Sequence, residues 1–212
     1  MIISVDNLKA GLRWWKENNF PSDLLNKEYY EIYEARGDGV TEEWWSATVD
    51  RLGRWRAYRG RTPPNTKADI LSRGRDVLNE LSRQYEWLTQ RKNEPSITSV
   101  PWEDVQPLFT LARSVKPSPV FAGKMCHFLF PKLFIVMDNL ATQVFDYEFY
   151  WRGMKDEWER FPEKETASEN LLREIQSHRP VHEYYPVETK VMELSHIGYK
   201  HGALQSSMKA AF

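Results

Sequence analysis

Apolar residues in this chain recur at intervals of three and four through most of its length, while stretches alternating with a period of two are scarce. That spacing gathers apolar side chains on one stripe of a helix, so the chain reads as all-α. Capping and breaking residues divide the pattern into elements. Asp6 or Asn7 can cap a helix to about Asn18, stopped by Phe20-Pro21, and Ser22 can start a second that ends near Ala35 before Gly37-Asp38-Gly39. Thr41 opens a third helix reaching about Tyr58, and Thr66 caps a long fourth one to about Arg91. Further helices are expected from Pro101 or Trp102 to near Val115, from Lys124, from Asn139 to about Trp151, from Ala167 to His178 after a Pro162 to Thr166 linker, and from Val187 to about Ile197. Residues 200–212 read as a frayed tail.

A chain of 212 residues has room for one substantial core, or for two lobes around a cleft. A single domain over 1–212 is expected, with the loop from Asn93 to Pro101 as the place where lobes would divide. Hydrophobic residues at 41%, with nine tryptophans, exclude a disordered chain. No window approaches the roughly 20 apolar residues of a membrane span, and the first residues lack a basic segment followed by an apolar one, so a cytoplasmic protein away from membranes is expected. The single cysteine, Cys126, cannot form an intramolecular disulfide and reads as core filler between Met125 and His127.

The net charge of −1 hides an uneven distribution. Residues 1–50 hold five Lys and Arg against ten Asp and Glu, whereas residues 51–92 hold eleven against four. Within the basic part, Arg51 to Arg61 carries five arginines and no acid, interleaved with Trp55 and Tyr58. Arginines there can contact phosphates while a ring stacks on a base, so Arg54, Arg56, Arg59 and Arg61 are candidate nucleic-acid contacts. The competing reading is a solvated face paired with the acidic first third. No metal site is indicated, since Pro180 interrupts the spacing of His178 and His182, and no nucleotide-binding loop is present, so no cofactor is expected.

The stretch from Ser118 to Phe145 places one lysine and one aspartate, Lys124 and Asp138, in an otherwise almost wholly apolar run. Burying either charge alone costs several kcal/mol, so each should be paired or at work. Asp138 can cap a helix over Asn139 to Phe145, and Lys124 can lay its stem along the core with its ammonium in water.

The same stretch resembles the catalytic segment of the helix-hairpin-helix DNA glycosylase superfamily. Lys116 to Gly123 stands at the hairpin, Lys124 opens the following helix, and Phe134-Ile135-Val136-Met137-Asp138 stands where that family has a hydrophobic run ending in aspartate. KPSPVFAG replaces the usual Leu-Pro-Gly-Val-Gly hairpin, and Lys124 is closer to Asp138 than is common. Lysine followed by His-Phe-Leu-x-Pro-x-Leu-Phe and then aspartate is most similar to a bacterial branch that includes an anti-phage enzyme removing glucosylated 5-hydroxymethylcytosine.

The resemblance implies a two-lobed helical bundle that binds phage DNA, flips a modified base and cleaves its glycosidic bond in anti-phage defence. A carboxylate gains interaction energy as positive charge develops on the sugar, so Asp138 would be catalytic. Lys124 would support it electrostatically or attack C1′ itself. Lys116 and Ser118 would hold a phosphate at the hairpin. His127, Tyr147, Trp151 and Trp45 are candidates for the base pocket, against the commoner role of large aromatics as core. A repair glycosylase for an oxidised or alkylated base and a non-catalytic DNA-binding module remain open.

Overall fold

The computed structural model describes residues 1–18, 24–36, 39–58, 63–91, 94–176 and 180–209, with side chains described throughout except at 24–26 and 203–209. The described residues form nine α-helices and no β-strand. They divide into two compact units, one of residues 31–136 and one joining residues 1–30 to 137–212. The expected break at Asn93 to Pro101 is not where the units part. Residues 94–101 belong wholly to the first of these, where the Ile97 amide donates to the Lys132 carbonyl at 3.0 Å.

The unit of residues 31–136 holds α3 (Glu42–Arg54), α4 (Lys67–Arg91), α5 (Trp102–Val115) and α6 (Pro119–Leu129), together with the end of α2 (Leu24–Arg36). Its helix starts follow local chemistry. Thr41 caps α3 by accepting from the Trp44 amide, and Thr66 and Asp69 cap α4 reciprocally, each side chain accepting from the other's amide. Ser118 caps α6, and Pro119, whose missing N–H costs nothing at the first position, opens it. Lys124 therefore lies in the middle of α6 rather than at its start. The core of this unit includes Phe121, Phe128 and Phe134, each fully buried and each contributing about 2 kcal/mol by burial.

Helix α3 ends at Arg54, four residues before the expected Tyr58. Arg56 turns left-handed with φ 54°. The Ala57 amide then reaches the Leu52 carbonyl and the Arg56 amide the Gly53 carbonyl, a helix end usually built on glycine.

The other unit holds α1 (Val5–Glu17), α7 (Tyr147–Arg160), α8 (Lys164–Ile175) and α9 (Val187–Lys209), with the start of α2. Ser4, not Asp6 or Asn7, caps α1 by accepting from the Asn7 amide at 3.1 Å. Helices α1 and α9 cross in backbone contact. A Cβ on Gly198 would lie 1.9 Å from the Asn7 carbonyl oxygen, and one on Gly11 would lie 1.9 Å from that of Leu194.

The helix expected from Asn139 to Trp151 begins only at Tyr147. Residues 139–142 form a turn, Gln143 is left-handed with φ 53°, and Asp146 caps α7, which runs on to Arg160. Helix α8 begins at Lys164, inside the expected linker, and α9 continues through the expected tail to Lys209. No helix among the described residues is long and apolar enough to cross a membrane.

Candidate functional site

Lys124 and Asp138 fall in different units, and each has its own local setting. Lys124 is 3% exposed, which overturns the reading of an ammonium held in water. Its Nζ donates to the Trp55 carbonyl at 2.8 Å, and Lys116 Nζ donates to the Ala57 carbonyl at 3.2 Å. Both lysines thus serve the left-handed turn that ends α3, where helix carbonyls have no partner within the helix and favour cations. Burial, with Arg73 nearby, holds the Lys116 ammonium below the usual lysine range. The Lys116-Pro117-Ser118 turn joins α5 to α6, and the Ser118 hydroxyl is taken up in capping.

The arginine segment divides in the structure. Arg51 is buried, donates to the Glu31 carbonyl and lies over the Phe128 ring, so it belongs to the core. Arg54 is exposed and pairs with Glu31 at 3.2 Å. Arg56 is exposed on the strained turn. Arg59 and Arg61 lie outside the described residues.

The expected pocket aromatics are all in cores. His127 is fully buried, with Nδ1 donating to the Phe134 carbonyl, and Trp45 donates to the Leu71 carbonyl while its ring fills the space a Cβ on Gly74 would need. Tyr147 and Trp151 are buried in the other unit. Burial pushes the Cys126 thiol well up, which suits filler.

Asp138 is partly exposed at the end of the buried run Leu133 to Met137. Its Oδ1 accepts from the Leu140 amide at 2.9 Å and from the Ala141 amide at 3.3 Å. Thr142 closes the turn, its Oγ1 donating to the Asp138 carbonyl at 2.8 Å and its amide donating to the same oxygen. The carboxylate is therefore held in one orientation by two backbone donors. In the residues that follow it, Leu140, Phe145 and Phe149 are 71%, 78% and 78% exposed, an unusual display of large apolar side chains on one short segment.

Two histidines of α9 hold the turn from the other side. His196 Nε2 donates to the Thr142 carbonyl at 3.0 Å, and His201 Nε2 donates to that of Ala141 at 3.1 Å. His196 is 5% exposed, and burial lowers its pKa to about 4 against the opposing hydrogen bond to Thr142. Close by in this unit lie Tyr150, whose ring meets that of His196 edge-on at 5.0 Å, and the buried Lys190–Glu193 ion pair at 2.6 Å. Burial raises the Tyr29, Tyr150 and Tyr185 phenols well above their ordinary value, and the Glu193 charge adds to each.

Sequence reasoning reached Asp138 but missed His196, Tyr150 and the Lys190–Glu193 pair. The available signal was the polar run Thr189, Lys190, Glu193, Ser195 and His196 within a helix whose other residues from Val191 to Ile197 are apolar. Among the described residues no group of three His, Cys, Asp or Glu is placed to hold a metal ion. Comparison with known protein families, curated proteins and solved structures finds no match.

Proposed function

We propose that this chain is a DNA glycosylase of the helix-hairpin-helix type, which flips a modified base out of DNA and hydrolyses its glycosidic bond. The observation that carries the reading is Asp138: a partly exposed carboxylate at the end of a buried apolar run, fixed by two backbone amides and followed in the chain by exposed Leu140, Phe145 and Phe149. In the reaction, water adds its oxygen to C1′ while the bond from C1′ to the base nitrogen breaks with its electron pair leaving on the base. The proton lost by water ends on the base, and an abasic site remains. Asp138 stabilises the positive charge that grows on the sugar and orients the water.

The exposed apolar side chains suit insertion between base steps, which lowers the cost of unstacking the target. Backbone strain supports the same reading. Among the described residues the non-glycine positions with positive φ are Arg56 and Gln143, one on the arginine segment and one closing the Asp138 turn. Such strain gathers at functional sites. The engagement of Lys124 with the Trp55 carbonyl favours hydrolysis led by Asp138 over attack by the lysine. Glucosylated 5-hydroxymethylcytosine of phage DNA is the proposed substrate, resting on the sequence resemblance, and the cytoplasm the proposed place of action, resting on the single cysteine, Cys126.

The test is release of free base, read by mass spectrometry, from DNA carrying glucosylated 5-hydroxymethylcytosine beside unmodified DNA. Release from the modified DNA alone is expected. No release from that DNA rejects the proposed substrate, and no release from DNA carrying oxidised or alkylated bases either would leave a binding module.

A further inference from the structure

In the unit that carries Asp138, the buried polar atoms without a hydrogen-bond partner among the described residues include Tyr150 Oη, Tyr185 Oη and His196 Nδ1. Each residue is at least nine-tenths buried. Leaving such a group unmade costs on the order of 1–3 kcal/mol, and three in one unit are a burden that packing alone does not explain. The Tyr150 and Tyr185 phenols share a charged neighbour, Glu193. Tyr150 lies against His196, Tyr185 meets Tyr29 edge-on at 5.1 Å, and Lys190 of the buried Lys190–Glu193 pair lies 5.5 Å from the Tyr29 ring centre.

The chemistry of these groups selects a ligand. His196 presents Nε2 to a carbonyl, so that nitrogen carries the proton and Nδ1 is an acceptor waiting for an N–H. The two phenols offer O–H donors to a carbonyl oxygen and a ring nitrogen. The ion pair beside them is neutral as a unit, so a net charge on the ligand would go uncompensated. An N–H donor beside a carbonyl oxygen and a ring-nitrogen acceptor, on a neutral, flat molecule that fits among tyrosine rings, describes the edge of cytosine.

We propose that Tyr150, Tyr185 and His196 form the base-reading site, holding a neutral pyrimidine edge through the two hydroxyls and the imidazole Nδ1. The placement fits the Asp138 turn, because the opposite nitrogen of His196 holds the Thr142 carbonyl and Thr142 is bonded directly to Asp138. One imidazole thus touches the base on one side and the catalytic turn on the other. The role of the site in excision rests on the glycosylase reading; its affinity for a free base does not.

The experiment is a titration of the wild-type chain and of the Tyr150→Phe/Tyr185→Phe double variant with free cytosine, followed by NMR, with thermal unfolding of both. Where the wild type excises a base, the rate of excision is measured alongside. Removing hydroxyls that have no partner leaves the fold intact, so the variant should unfold at the same temperature as wild type or higher. It should bind cytosine at least about tenfold more weakly and excise at least about tenfold more slowly. Failure of the wild type to bind cytosine overturns the site. So does a variant that unfolds several degrees lower while keeping cytosine affinity, since its hydroxyls would then be holding buried water. Absence of excision by the wild type sinks the glycosylase reading alone, and cytosine binding still decides the site.

Discussion

Asp138→Asn keeps an amide oxygen where Leu140 and Ala141 need an acceptor, so the turn should survive while the charge is lost. Base excision should fall by at least about 100-fold, with DNA affinity and melting temperature nearly unchanged. A parallel loss of melting temperature would instead mark Asp138 as a cap. Lys124→Met keeps most of the buried stem and removes the donor to the Trp55 carbonyl. It should cost about 1–3 kcal/mol in chemical denaturation, and borohydride should trap no covalent adduct between wild-type protein and DNA. His196 makes the acid side of stability predictable. Above pH 6.5 its imidazole is neutral whether folded or not; between there and about pH 4 the unfolded chain takes a proton that the folded chain refuses. Stability should therefore fall by up to about 3 kcal/mol across that window, and His196→Gln, which keeps a donor for Thr142 without titrating, should flatten the profile.

At the scale of the element, the two left-handed residues are the informative ones. The end of α3 has the bonding of a glycine-terminated helix with Arg56 in the glycine's place, a conformation that costs an L side chain about 1 kcal/mol. Arg56→Gly should raise stability by about that amount and, if the arginine contacts phosphate, lower DNA affinity and the salt dependence of binding by about one charge. A rise in melting temperature with unchanged DNA binding would remove Arg56 from the interface. The α1–α9 crossing has no such latitude. Gly198→Ala drives a methyl into the Asn7 carbonyl and the Gly11 amide, both backbone atoms that no rotamer change can clear. A loss of at least about 1–3 kcal/mol is expected, read by thermal unfolding.

For the molecule as a whole, the all-helical class and most of the helices were legible in the sequence, because a period of 3.6 and the capping residues Thr41, Thr66 and Ser118 act over a single turn. It also singled out Asp138, since a carboxylate ending an apolar run is visible without coordinates. What it could not determine was anything set by a distant neighbour. The early end of α3 depends on Lys124 and Lys116, about sixty to seventy residues further along, reaching back to carbonyls of the Arg56 turn. The break between Asp138 and Asp146 depends on Thr142, itself held by His196 from α9. Large aromatics near the signature read as core or pocket, and only packing showed that His127, Tyr147, Trp151 and Trp45 are buried. Tertiary structure alone gathered Tyr150, Tyr185, His196 and the Lys190–Glu193 pair, because burial and the want of a hydrogen-bond partner are properties of what surrounds a residue, not of the residue.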